Sequence, residues 1–258
     1  MKLAISNIAW ALENDSEMYA FLNEQGVSGL EIAPTRLFPI APYDHLAEAK
    51  EWVLFLQNRY GLEIPSMQSI WYGKNESIFG TEEDRANLLN YTQKAIHFAE
   101  TLHCPNMVFG CPRNRNIPGP EFKPIAIDFF YQIGLYAHLH HTTIAIEANP
   151  PYYNTNFINT TTEAIEICRE IHCEGVKVNI DLGTMINYEE DLDLLDANMD
   201  IVNHIHISEP MLAEIKNRDI HRRLKGLSYD RYFSIEMKKT DDLQTVKNII
   251  CYIREILL

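Results

Sequence analysis

Short, almost continuously apolar runs recur along the chain at residues 3–10, 29–33, 63–70, 106–110, 143–148, 176–182, 201–207 and 232–237. Runs of that length without regular polar alternation predict eight strands covered on both faces. Between them the apolar spacing changes to three and four. Leu88, Thr92, Ala95, Ala99 and Leu102 form one helical stripe, and Leu243, Val246, Ile250, Ile253 and Leu257 form another. Thr81 with Asp84, and Thr160 with Glu163, have the spacing of N-terminal helix caps. Strand–helix units of about 32 residues predict one α/β domain over residues 1–258, a (β/α)8 TIM barrel. The competing architecture is an open doubly wound sheet. The turn after the first strand lacks the Gly-x-Gly-x-x-Gly of its dinucleotide-binding form.

Charge and composition narrow the function. Against 22 Lys+Arg stand 36 Asp+Glu, a formal charge of −14, which leaves no basic surplus for a nucleic-acid partner. No apolar run approaches the roughly 20 residues of a membrane helix, and the opening Met1-Lys2-Leu3-Ala4-Ile5-Ser6-Asn7 has no leader pattern. A soluble cytoplasmic protein is therefore expected. The five cysteines are odd in number and none is paired at a two-residue gap, so they read as free thiols.

A barrel enzyme builds its site at the C-terminal ends of the strands, where the loops converge. The polar residues at those ends are Glu31, Gln68, Glu147 with Asn149, Asp181, His206 with Glu209, and Glu236. Ionisable groups ending apolar strands are costly to desolvate unless paired or metal-bound. Glu147, Asp181, His206 and Glu236 fall on four successive strands, the fifth to the eighth. Three carboxylates converging without a cation repel one another and take up protons. Three oxygen donors and one imidazole suit one divalent ion, Mn²⁺ or Mg²⁺ in preference to Zn²⁺. Around them, Trp10 and Trp71 could form an apolar wall for a ligand, while Glu31, Gln68, Asn149 and Glu209 are placed to hydrogen-bond it. Arg113 and Arg115, in the loop after the fourth strand, have the fork geometry for an anionic group. His138, His140 and His141 close a helix on the opposite face and read as helix-end histidines rather than a second metal site. His204, one layer below His206, reads as a hydrogen-bonded interior residue.

With those residues in place, the sequence resembles the sugar phosphate isomerase/epimerase family. These xylose isomerase-like barrels include D-tagatose 3-epimerase, inosose isomerases and dehydratases, and endonuclease IV. The resemblance is carried by Gly29-Leu30-Glu31-Ile32-Ala33-Pro34, the Ile146-Glu147 and Ile180-Asp181 strand ends, His204-Ile205-His206-Ile207-Ser208-Glu209-Pro210, and Ser234-Ile235-Glu236-Met237. It implies that Glu147, Asp181, His206 and Glu236 bind one divalent metal and that the two glutamates are also the acid and base. The implied activity is isomerisation or epimerisation of a small sugar, sugar phosphate or polyol, by proton abstraction next to a carbonyl through an enediolate. A homo-oligomer is compatible with it. A dehydratase of inosose type and a non-catalytic metal-dependent sugar-binding barrel are the alternatives. Two departures bear on the substrate. Thr184 stands where several relatives have a His that touches the substrate or a second metal, and Gln68 and Gly110 stand where the trinuclear nuclease needs histidines.

Overall fold

The computed structural model describes residues 1–258. Its parallel strands are β1 (Lys2–Ser6), β2 (Gly29–Glu31), β3 (Met107–Phe109), β4 (Ile144–Glu147), β5 (Val176–Asp181), β6 (Val202–Ile207) and β7 (Tyr232–Ile235). They hydrogen-bond in the order β2-β1-β7-β6-β5-β4-β3. The segment 63–67 bridges the two ends of that sheet through the parallel pairs Gly29↔Glu63, Ile32↔Met67 and Met67↔Met107. The fold is thus the expected (β/α)8 barrel, with one correction. The run 63–70 is the third stave of the ring, yet it forms only isolated bridges. Pro65 lacks an N–H and interrupts the ladder at its centre. Ile64 and Met67 are nevertheless buried.

Six long helices cover the ring: Asp15–Glu24, Leu46–Tyr60, Glu82–Thr101, Lys123–Leu139, Thr161–Ile171 and Leu243–Leu257. The sixth and seventh units carry only short ones, Leu182–Asn187 and Asp219–Arg223. Both predicted caps are formed. Thr81 Oγ1 accepts from the Asp84 backbone N–H at 3.1 Å, and Asp84 Oδ2 accepts from that of Thr81 at 2.9 Å. Thr160 Oγ1 accepts from the Glu163 N–H at 3.2 Å. Leu88, Thr92, Ala95, Ala99 and Leu102, and on the last helix Val246, Ile250, Ile253 and Leu257, are buried against the barrel as their spacing requires. No helix is long and apolar enough to cross a membrane, and all five cysteines are free thiols.

The register of the ring places the site. Glu147 pairs with Asn179, Asp181 with His206, and His206 with Ser234. Glu236 lies two residues beyond Ser234, so the quartet climbs across tilted strands rather than sharing one pairing level. Between β5 and β6 the pairing jumps from Val178↔Val202 to Asn179↔His204, leaving Asn203 as an extra residue. A one-residue shift exchanges the two faces of a strand. This bulge brings His204 and His206 into register with Asn179 and Asp181.

Candidate active site

Glu147 ends β4, Asp181 ends β5, His206 lies near the end of β6, and Glu236 immediately follows β7. One donor atom from each of the four lies within 4.8 Å of all the others. His206 Nδ1 is 3.0 Å from Glu147 Oε2 and 3.1 Å from Glu236 Oε2. Its other nitrogen, Nε2, is 2.8 Å from Glu31 Oε2. Glu31 is fully buried and also faces His204 Nε2 at 3.4 Å. His204 in turn bonds Ser234 Oγ at 2.8 Å, as an interior residue.

These contacts decide how the imidazole can work. Nε2–H donates a hydrogen bond to the carboxylate of Glu31, so in the neutral ring Nδ1 is an acceptor turned toward two carboxylate oxygens. That arrangement is repulsive unless a proton or a cation sits among the three. Ligand atoms about 2.1 Å from an octahedral ion stand about 3.0 Å apart. The observed 3.0 and 3.1 Å match this spacing. The four residues therefore fit a divalent ion, with Glu31 holding the ring's tautomer and orientation from behind.

Without a cation, protons balance the site. Burial alone would lower the His206 pKa, but Glu236 and Glu31 outweigh it and raise the value well above the usual histidine range. Burial and then repulsion from Glu147 push Asp181 up to about 6. Burial, opposed by His206 and aided by Glu147 and Glu31, pushes Glu236 up to about 7. Burial would raise Glu31 too, yet the two histidines more than offset it and its carboxyl is held well below the usual range.

Amides and hydroxyls aim the remaining oxygens. Asn149 Nδ2 donates to Glu147 Oε1 at 3.0 Å and Asn179 Nδ2 to Glu147 Oε2 at 2.7 Å. Gln68 Nε2 donates to Glu236 Oε1 at 2.7 Å and to Ser6 Oγ at 3.0 Å. Asp181 accepts from the Thr184 N–H at 2.6 Å and from the Ser208 hydroxyl. Glu147, Asp181 and Glu236 open into a cavity of about 190 Å³, also lined by Gln68, Gly110, Cys111, Asn149, Tyr153 and Leu212. This is smaller than the roughly 300–1,000 Å³ of pockets for drug-sized ligands. Gly110 keeps it open, since a Cβ there would lie 3.1 Å from Glu147 Oε1.

Several residues expected to touch substrate are placed elsewhere. Trp10 follows a 3-10 turn, Asn7–Ala9, and its buried indole donates to Asp15 at 2.8 Å. Glu31 reaches histidines rather than the cavity. Arg115 is fully buried behind Asn149, donating to Asn149 Oδ1 at 2.8 Å and to the Ile158 carbonyl at 3.3 Å. Burial pushes its pKa down to about 10. Its position fixes the amide of Asn149 with the NH₂ toward Glu147. Glu209 is ion-paired to Arg218 at 2.5 Å. Trp71 donates to Thr92 at 2.9 Å and packs on Phe109. Together with the exposed Arg113 and the half-buried Lys74, which is paired with Glu76 at 3.6 Å, it lines a second hollow of about 360 Å³. The two hollows share Ser69, Cys111 and Pro112. Thr184 is buried, with its hydroxyl on the Ala148 carbonyl, and does not line the cavity.

Asn179, Ser208 and Tyr153 are the site residues that sequence reasoning missed. Strand alternation could have found Asn179, two residues before Asp181 and hence on the same face. Glu31→Gln is expected to keep the fold and weaken Mn²⁺ affinity by about 10–100-fold, because the charge behind the imidazole is lost. Calorimetric titration with Mn²⁺ checks this.

A profile described as "Xylose isomerase-like TIM barrel" matches residues 19–255. A search among curated proteins found no match. Among solved structures, 3-keto-D-glucoside 4-epimerase from E. coli superimposes with a TM-score of 0.79 at 20% identity, over 99% of each chain. D-psicose 3-epimerase from Clostridium cellulolyticum H10, solved with D-tagatose, gives 0.79 at 14% identity, over 100% of this chain and 99% of that one. The IolI protein, solved with a bound zinc atom, gives 0.73 at 15% identity over the same shares. At these identities the likeness is one of fold.

Proposed function

We propose, starting from a chain that belongs to the xylose isomerase-like TIM-barrel family, that it is a divalent-metal-dependent isomerase or epimerase of a small sugar, sugar phosphate or polyol. The observation that carries this reading is the meeting of His206 Nδ1 with the Oε2 atoms of Glu147 and Glu236 beside a small cavity. Glu147, Asp181, His206 and Glu236 would hold the ion. When bound, it supplies Lewis-acid polarisation of a carbonyl and the neighbouring hydroxyl.

The two glutamates then have distinct work. They come from strands three apart around the ring, so their carboxylates approach one point from different sides. One takes the weakly acidic proton from the carbon beside the carbonyl, leaving an enediolate; the other returns a proton to the opposite face, inverting that carbon. Asn149 and Gln68, each donating to one oxygen, keep the other oxygen of each glutamate turned to the centre. The exposed Arg113 in the adjoining hollow supports the inclusion of phosphorylated sugars among the substrates.

The test is incubation with Mn²⁺ and a panel of ketoses, sugar phosphates and inososes in D₂O, read by NMR. Deuterium at one carbon of a new isomer or epimer, with no other change in mass, is the expected result. Loss of water from the substrate would instead identify a lyase on the same scaffold. Binding without exchange for every compound would overturn catalysis.

A further inference from the structure

On the outer wall of the barrel, a second set of metal-type donors meets between two helices. His97 and Glu100 lie three residues apart in the last turns of helix Glu82–Thr101, on one face of it. His140 caps the C-terminus of the neighbouring helix Lys123–Leu139. Glu100 Oε2 is 3.0 Å from His140 Nδ1 and 3.5 Å from His97 Nδ1. One donor atom from each of the three lies within 4.8 Å of the others. Considered within its own helix end, His140 has no metal partner; its partners come from the helix before.

We infer that His97, Glu100 and His140 form a second divalent-metal site, of the zinc type, that clips these two helices together. Two imidazole nitrogens and one carboxylate oxygen form a three-ligand zinc set with an open fourth position for water. Ligands about 2.05 Å from a tetrahedral ion stand about 3.3 Å apart. The observed separations of 3.0 and 3.5 Å bracket that value. His97 Nε2 lies 2.7 Å from the Tyr136 hydroxyl. When Nδ1 turns to a metal, the ring's remaining proton resides on Nε2, and the Tyr136 oxygen is placed to accept a hydrogen bond from Nε2–H. The His97 and His140 rings stand edge to face with centroids 4.5 Å apart, and Tyr136 packs on His140 at 4.5 Å. Both helices end here, so their negative dipole ends favour a cation. The side chains of His97 and Glu100 are 43% exposed and that of His140 is 22% exposed, which leaves an entry path from solvent.

This inference does not depend on the catalytic reading, and a metal count separates the two. Metal-stripped full-length protein is dialysed against Zn²⁺ and its bound metal measured, for the parent, for His140→Ala and Glu100→Gln, and for the double variant Glu147→Gln/Glu236→Gln. The parent is expected to hold two equivalents and each outer-site variant one. The double variant is expected to keep an equivalent that adding His140→Ala removes, and Zn²⁺ is expected to raise its melting temperature only while His140 is present. Because all three outer residues are partly exposed, their variants should fold normally. A metal count unchanged by both His140→Ala and Glu100→Gln would overturn the clip. So would no bound metal in the Glu147→Gln/Glu236→Gln variant, whereas one equivalent in the parent that is lost with His140 would support the clip and count against the catalytic ion.

Discussion

Glu236→Gln is expected to lower turnover by about 10³-fold or more while leaving the fold intact, and Glu147→Gln is expected to do the same. General acid or base catalysis by one placed group contributes about 10²–10⁴-fold, and each glutamate is also a donor to the proposed ion. Glutamine has the volume of glutamate, so the amide at 236 can still accept from Gln68 through its oxygen. What it cannot do is take or return a proton. The two variants should also differ from each other. The one that lacks the acid can still exchange the substrate's C–H with solvent without completing inversion; the one that lacks the base can do neither. Turnover and deuterium incorporation, measured side by side, assign the roles. Near-parental turnover in either variant would contradict the proposed chemistry.

The second large effect is expected on metal removal. Treatment with a chelator should abolish activity and lower the melting temperature, with both restored by Mn²⁺. At a free ion concentration 100 times Kd, binding stabilises the folded chain by about 2.7 kcal/mol. For a chain of this size that corresponds to roughly 5–10 °C. The increment should grow with pH. Metal-free, Asp181 and Glu236 are pushed up to about 6 and 7 and His206 is raised well above its usual range. Groups with raised folded-state values contribute stability at low pH and lose it as pH rises through those values. The ion needs the same atoms deprotonated, so its affinity rises over the interval in which the protons leave. Calorimetry at pH 5.5 and pH 8 with and without Mn²⁺ checks the sign; an increment larger at the lower pH would refute it.

Much of this architecture was legible in the chain because strands buried on both faces leave apolar runs, and an ionisable residue at the end of such a run stands out. Glu147, Asp181, His206 and Glu236 stand out in that way, and the fold brings their donor atoms within 4.8 Å of one another. The third stave has the apolar content of a regular strand but forms only isolated bridges, because Pro65 breaks its ladder. Loop residues were harder, since position after a strand does not say which way the chain then turns. Trp10 is carried by a 3-10 turn to Asp15, and Arg115 folds behind Asn149. Glu209 follows a strand end that the sequence points toward the site, but a pair with Arg218 nine residues later claims its charge. The Asn203 bulge, which sets the inward register of His206, has no sequence signature of its own. Nor does the approach of His140 to His97 and Glu100, which only the packing of two helices creates.

The most direct measurement is an anomalous difference map from crystals grown with Mn²⁺. The proposed function predicts a peak among His206 Nδ1 and the carboxylates of Glu147, Asp181 and Glu236. No peak there, with His206 Nδ1 still hydrogen-bonded directly to the two glutamates, would contradict it.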